Sequence, residues 1–322
     1  MRPEQILRSA RSARLGAGAL MLAIPASAVA LTAGQADAQS AITVNSVPRH
    51  VAFGGRVIVT GSAGVAEAGR SVALQFAPAG AARWRSLTSV RVRRDGSFRL
   101  DAPLLRTGLV RVVAIASPSS APALTGSPGA AADALTPSVP ATVSVRARFV
   151  VPRGSVNVLS GQTAEIRGWL RPAVAGRRVR LLTRSNGGWQ TAATVRTGPK
   201  GGFDLRYQPT ATGESSLKVR FRGDRLNTAS SAPAGTVTAF RESVASWYGD
   251  GGGTACGFHS YFGVAHKTLP CGTKVTFRYN GRTVTAVVDD RGPFVSGREW
   301  DLNQNTAGAL GFGGVSTVWS SV

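Results

Sequence analysis

The sequence predicts a mainly-β chain made of two consecutive antiparallel sandwiches and a small C-terminal barrel. Three observations carry this. Short alternating apolar runs, such as residues 57–59 and 177–181, recur between Gly, Pro or Asp-Gly turns at intervals of about 8–12 residues, the rhythm of strands and hairpins. The pattern is duplicated at domain length. From Ser243 onward the composition shifts to Gly-, aromatic- and His-containing sequence with balanced charge. A chain of 322 residues has room for two or three domains, and 43% hydrophobic residues exclude wholesale disorder. Two cysteines exclude a disulfide-dense scaffold and a four-Cys zinc site, and three histidines without ligand-like spacing give no metal site; no cofactor is expected.

Residues 1–14 carry Arg2, Arg8, Arg11 and Arg14, and an apolar run over 15–31 leads to small residues and an Ala36-Asp37-Ala38 site. This reads as a signal peptide over 1–38, cut after Ala38, because the apolar run is interrupted by Pro25 and short for a membrane span. The mature chain is expected to lack a transmembrane segment and to be secreted to the cell wall or cell surface, which excludes nucleic acid as its partner.

Between Ser117 and Thr142, 22 of 26 residues are Ala, Ser, Pro, Thr or Gly, a linker composition. The flanking segments match. Gly61, Gly69, Arg70, Val72 and Leu74 recur as Gly168, Gly176, Arg177, Val179 and Leu181 at an offset of 107. Trp84, Gly96, Phe98, Leu100 and Gly108 recur as Trp189, Gly201, Phe203, Leu205 and Gly213 at an offset of 105. A repeat this long is a duplicated domain, so repeats are expected at 39–116 and 143–240, with 117–142 between them. The run from Phe221-Arg222-Gly223-Asp224 to Ser230-Ser231 resembles the end of bacterial immunoglobulin-like repeats, and Trp84 and Trp189 are expected in the sandwich cores. Charge is partitioned too. Of the net +22, residues 39–240 hold 27 Lys plus Arg against 8 Asp plus Glu, whereas 241–322 hold 7 against 6. Basic repeats outside the cell attract anionic wall polymers through long-range, salt-sensitive forces; the alternative is an arginine-biased composition that serves solubility alone.

In the last 80 or so residues, β-rich runs at 273–277 and 283–288 flank Asn280-Gly281, a strong hairpin signal because both turn residues need positive φ. Residues 301–310 read as one short helix with Asn303 or Asp301 as N-cap and Gly311 as stop, and 315–319 as a final strand. A barrel with one or two short helices fits this pattern. Cys256 and Cys271 share this exported segment and read as a disulfide closing a loop of about 15 residues, nominally worth roughly 3 kcal/mol; a cysteine nucleophile would need an activating base that nothing singles out.

Four blocks occur here in order: Ala245-Ser246-Trp247-Tyr248-Gly249; Ala265-His266-Lys267-Thr268-Leu269-Pro270-Cys271-Gly272; Asp290-Arg291-Gly292-Pro293-Phe294; and Gly297-Arg298 with Asp301-Leu302. Together they make residues 243–322 resemble the rare lipoprotein A (RlpA)-like family of double-psi β-barrels, relatives of expansin and barwin barrels. The resemblance implies a six-stranded barrel with an open polysaccharide groove and action on peptidoglycan glycan strands as a lytic transglycosylase. The family also contains a Glu after its Thr-Ala-x-Gly block, where this chain has Phe258 after Thr254-Ala255-Cys256-Gly257. The alternative is therefore an expansin-like module that binds or loosens the wall without cutting it.

A lytic transglycosylase needs one carboxyl group, because the sugar's own 6-hydroxyl closes on the anomeric carbon. By the resemblance this acid is Asp290, with Asp289 on the other face of an extended segment. His266 matches the family's functional histidine and is expected to orient Asp290 or bond the sugar. Trp247, Tyr248 and Tyr261 are candidate sugar platforms; alternation favours Tyr248, with Trp247 more at home in the core. Arg291 and Asp301 fall in family blocks and complete the substrate-binding candidates, although capping a helix is the simplest task for Asp301.

Overall fold

The computed structural model describes residues 41–115, 135–185, 187–249 and 251–322. The expected signal peptide and most of the Ala/Ser/Pro-rich stretch lie outside these residues. No helix among the described residues is long and apolar enough to cross a membrane.

The chain is mainly β, and the duplicated region folds twice in one topology. The first copy contains β1 (Thr43–Ser46), β2 (His50–Ala52), β3 (Arg56–Ser62), β4 (Ser71–Pro78), β5 (Arg85–Arg91), β6 (Ser97–Pro103), β7 (Gly108–Ile115) and β8 (Ala141–Arg146). One sheet runs β1-β3-β6; facing it is β2-β8-β7-β4-β5, in which only β2 and β8 are parallel. The second copy contains β9 (Arg148–Val150), β10 (Ser155–Leu159), β11 (Ala164–Arg171), β12 (Arg178–Ser185), β13 (Gly188–Arg196), β14 (Gly202–Tyr207), β15 (Gly213–Gly223) and β16 (Thr228–Tyr248). Its sheets are β9-β11-β14 and β10-β16-β15-β12-β13, again with one parallel pair, β10 and β16.

Period-two alternation builds both interiors. Along β3, Val57, Val59 and Gly61 are buried and the residues between them are not. The recurrent glycine and phenylalanine are cross-strand partners, Gly61 with Phe98 and Gly168 with Phe203. In each pair a Cβ on the glycine would collide with the ring and with a backbone carbonyl on the other side, so only glycine lets the ring lie flat across the strand.

Two expectations need correction. β8 pairs with β7 and β2, and Val143, Val145 and Leu135 lie in the first core. The Ala/Ser/Pro-rich stretch is thus an excursion between two neighbouring strands of the first sandwich, and the second sandwich begins at β9. Composition misses this because a few residues at the end of the stretch suffice to dock it. Ser138, for example, exchanges hydrogen bonds with Val112, its hydroxyl accepting and its N–H donating, each at 2.9 Å. Trp84 and Trp189 are also not core residues. Trp84, half-buried, immediately precedes the edge strand β5, and Trp189, exposed, lies at the start of β13; Arg111 lies 4.2 Å over Trp84 and Lys218 3.9 Å over Trp189.

A buried arginine ties the copies together. Arg177 donates to Asp224 at 3.0 Å, to the Asn227 Oδ1 at 2.6 Å and to the Pro172 carbonyl at 3.2 Å. Asn227, fully buried, donates to the carbonyls of Leu105 and Val145 in the first sandwich. The Asp224 carboxylate also accepts the N–H groups of Leu226 and Asn227, which explains the aspartate that closes the Phe-Arg-Gly-Asp run.

β16 is 21 residues long. It pairs with β10 as far as Phe240 and with β21 (Ser316–Ser320) from Arg241. The remaining strands are β17 (Gly263–Ala265), β18 (Lys274–Tyr279), β19 (Arg282–Asp290) and β20 (Trp300–Asn303). β16 pairs with β20, β20 with β17, β17 with β19, β19 with β18, β18 with β21, and β21 returns to β16, so six strands pair in a ring. The β18–β19 turn has positive φ at both Asn280 and Gly281, 45° and 82°. Val264, Phe277, Val288, Trp300 and Leu302 are among the side chains that fill the interior. One helix, α1 (Gln304–Leu310), packs on it; Asn303 is its N-cap, accepting the Thr306 N–H, and Gly311 ends it at φ 65°.

Candidate functional site

Asp290 ends β19, and its position depends on a register shift. Val264 of β17 pairs with Val288, but the next residue, Ala265, pairs with Asp290, leaving Asp289 as the extra residue of a bulge. Ala265 also pairs with Asp301, which in turn pairs with Ser246. Directly opposed residues project to the same side of a sheet. Ser246, Asp301, Ala265 and Asp290 therefore form one row across four strands, with the small side chain of Ala265 between two carboxyl groups.

The two aspartates are held differently. Asp290 Oδ1 accepts the N–H groups of Ala255 and Arg291, each at 2.8 Å. Asp301 accepts the Ser246 hydroxyl at 2.8 Å, and burial pushes its carboxyl above the ordinary aspartate range, with the Asp290 charge adding to the rise and Arg298 opposing it. Asp301 is thus a strand residue of the site; the cap of α1 is Asn303, whose Nδ2 also donates to the carbonyls of Ser260 and Tyr261.

Asp289 is buried, 1% exposed, with its carboxylate against Gly263. Its Oδ2 accepts the Ser260 N–H at 2.8 Å, while Oδ1 is buried without a hydrogen-bond partner among the described residues. Burial is the main cause that raises its pKa. Gly263 gives it space: a Cβ there would collide with the carboxylate.

His266 is tied to Asp290 through backbone only, its N–H donating to the Asp290 carbonyl at 3.2 Å. The ring makes other contacts. Nδ1 accepts the N–H groups of Thr268 and Leu269 at 3.1 and 3.0 Å, Nε2 lies 3.9 Å from Glu299, and the ring rests against Trp300 with centroids 4.5 Å apart. The expected orientation of the acid by the imidazole is not what the side chains do, because two backbone donors in its own loop occupy Nδ1. Burial depresses the imidazole pKa, Glu299 opposing and Arg241 reinforcing the shift.

Glu299 is the residue that sequence reasoning missed. It forms a two-point ion pair with Arg241, with 2.7 Å between Nη1 and Oε2, and this pairing holds its carboxyl below the ordinary range. Its partner is 58 positions away, so no local motif signals the pair; the family blocks on both sides of it were the available hint.

Arg291 faces the 266–271 loop, donating to the carbonyls of His266 and Leu269 at 3.2 and 2.9 Å and approaching Cys271 Sγ at 3.1 Å. Cys256 and Cys271 form a disulfide. The Cys256 N–H donates to the Asp289 carbonyl, so the bridge joins the Gly-rich loop and the His266 loop next to the aspartates. Among the aromatic candidates, Tyr261 is 74% and Trp247 45% exposed, while Tyr248 is half-buried. Trp247 is directly opposite the core residue Leu302 but is left partly uncovered, so it is not the buried residue expected, whereas Tyr248 falls on the side of the strand that carries Ser246, which faces Asp301. Phe258 is also exposed. No cluster of three or more potential metal ligands occurs among the described residues.

Comparisons with known proteins match the same segment of the chain. A model of the lytic transglycolase family matches residues 241–318. The probable endolytic peptidoglycan transglycosylase RlpA of Synechocystis sp. is 40% identical over 104 residues, 30% of this chain and 32% of that protein. The endolytic peptidoglycan transglycosylase RlpA of Campylobacter jejuni is 43% identical over 86 residues, 23% of this chain and 31% of its own, and that of Rickettsia felis 37% over 94 residues, 25% and 40%. The chain spans about a third of the length of these curated relatives. Among solved structures, the D0-D1 domain of Intimin aligns with 62% of this chain and 97% of its own, at 15% identity and a TM-score of 0.23. The ring of six strands, the four ordered blocks and the matched segment together place residues 241–318 in the RlpA-like double-psi β-barrel family.

Proposed function

We propose that the barrel binds peptidoglycan glycan strands and cleaves them as a lytic transglycosylase, with Asp290 as the acid. The observation that carries this reading is the row of Ser246, Asp301, Ala265 and Asp290, two carboxyl groups on one side of the sheet separated by an alanine. Both of the backbone hydrogen bonds received by Asp290 fall on Oδ1, which leaves Oδ2 for a substrate. In the proposed sequence Asp290 gives its proton to the glycosidic oxygen as the C1–O bond breaks. The resulting carboxylate then takes the proton of the 6-hydroxyl as that oxygen closes on C1, yielding an anhydro-muramyl end without water. Asp301, kept neutral to higher pH by burial, is placed to donate to a sugar hydroxyl. His266, Arg291 and the disulfide fix the loop beside the acid, and Trp247 and Tyr261 supply faces for the sugar rings.

The chain is read as exported to the wall, with two immunoglobulin-like sandwiches carrying the barrel and their basic surface drawn to anionic wall polymers. A second reading, binding or loosening of glycan without cleavage, is favoured by one observation: Phe258 stands exposed where the resemblance expects a glutamate. The test incubates the mature protein and Asp290→Asn with intact and with peptide-stripped sacculi, followed by mass spectrometry. Anhydro-muramyl ends from the parent and none from the variant are expected. Co-sedimentation with sacculi without such ends from the parent would establish the second reading instead.

A further inference from the structure

The two sandwiches share a topology but differ on one face. On the outward side of β12, β13 and β15 in the second sandwich, Arg178, Arg180, Arg196, Arg220 and Arg222 line an open cavity of about 430 Å³. Two of the pairs are directly opposed across strands: Arg178 with Arg196, and Arg180 with Arg220. Like charges so placed destabilise a sheet. Relief from neighbouring carboxylates is missing. Arg178, Arg180, Arg220 and Arg222 have no ion-pair or side-chain hydrogen-bond partner among the described residues, and Arg196 reaches only the Gly176 carbonyl at 2.9 Å. Asp224 at the rim is already engaged by Arg177 and two backbone N–H groups. Glu165 and Asp204 sit on the opposite sheet, paired with Arg167.

The first sandwich shows that the fold does not require these arginines. By the 107-residue offset Ser71 and Ala73 stand where Arg178 and Arg180 do, and by strand register Val113 stands where Arg220 does. Arg91, opposite Ser71, keeps the place of Arg196, so the first copy has one of these five arginines but neither of the opposed Arg–Arg pairs.

We propose that this face is a binding site for a linear polymer of repeated phosphate groups. Opposed guanidinium groups about 5 Å apart at their Cβ atoms can converge on one tetrahedral phosphate, whose oxygens lie in more than one plane, whereas a flat carboxylate matches a single fork. Successive outward residues along a strand are about 7 Å apart, so the site is a ladder for repeated charges and not a pocket for a single ion. The inference sharpens the attraction of the basic repeats for wall polymers into a place and a chemistry, and it is independent of the barrel's reaction.

Binding of the full mature chain to long-chain inorganic polyphosphate, by titration calorimetry at several salt concentrations, tests it. The double variant Arg178→Ser/Arg180→Ala, which installs the first sandwich's own residues, is expected to weaken binding roughly tenfold or more and to flatten its salt dependence. Arg94→Ser/Arg99→Ser, an equal loss of exposed charge on the first sandwich, is expected to change it less than about twofold. Equal losses from both variants, or polygalacturonate or anionic phospholipid vesicles bound as tightly as polyphosphate, would overturn the site while leaving general attraction standing. If the parent shows no salt-sensitive binding to any polyanion, the broader reading fails as well. No glycan is present in the assay, so each outcome is separate from the question of cleavage.

Discussion

Truncating Trp300 to alanine tests whether the barrel core and the candidate site are one unit. The indole is fully buried, packs edge-on against Phe277 with centroids 5.0 Å apart, and supports the His266 ring from below. Its Nε1 donates to the Ser243 hydroxyl at 3.1 Å, and Ser243 in turn donates to Ser320, so loss of the indole leaves the hydroxyl with a partner. The cost is therefore the cavity and the lost packing, about 3–5 kcal/mol, without an orphaned polar group to add to it. A barrel of about 80 residues has roughly 4–12 kcal/mol of stability in total. Trp300→Ala should consume about a quarter of it or more and lower the barrel's melting temperature by more than about 10 °C. Near-UV circular dichroism of the full chain on heating measures this, with Trp300→Phe falling between parent and alanine variant. An alanine variant that melts within about 3 °C of the parent would refute the packing argument.

Other expectations follow from the same contacts. Asp289 has a raised pKa, so the folded state keeps a proton that the unfolded chain has lost above the ordinary value of 3.8; its contribution is complete below that value and disappears as pH rises through the folded pKa. Asp289→Asn should accordingly flatten the decline of melting temperature across that window. Glu299 raises the His266 pKa against the effect of burial; Glu299→Gln should move the imidazole titration, followed by NMR, further down. Reduction of the bridge between Cys256 and Cys271, 15 positions apart, should cost roughly 3 kcal/mol in denaturant titrations and loosen the loops beside Asp290. Gly263→Ala should disturb the site from beneath, since its Cβ meets the Asp289 carboxylate; lower yield or melting temperature together with reduced glycan binding is expected.

Local signals were read from the sequence with success. Asn280-Gly281 makes its hairpin, Gly311 ends α1, and the two cysteines pair, because each depends on a few adjacent residues or on a count of two. The duplication was also legible, since glycine-to-aromatic packing imposes the same residues on both copies. Features set by distant partners were not. Glu299 acquires its place from Arg241, and β8 joins the first sandwich across a stretch of low complexity. Trp84, Trp189 and Trp247 were expected in cores and are not fully covered, because a sequence pattern says at most which side of a strand a residue takes, not whether anything covers that side. Asp301 looked like a cap, but the chain remains extended for two more residues before α1 begins, and those residues bring its carboxyl into the row with Asp290.

The passage from Phe240 to Arg241 has no spacer: one residue is the last to pair with β10 and the next is the first to pair with β21. The length of β16 therefore sets the phase between two domains. Since side chains alternate at every residue, inserting one amino acid at this step would leave each half in its own register but turn the barrel over relative to the sandwich. Inserting two would keep every side chain on its proper face and move the barrel about 7 Å along the strand. In this joint, parity sets which way the barrel faces and length sets how far it stands from the sandwich.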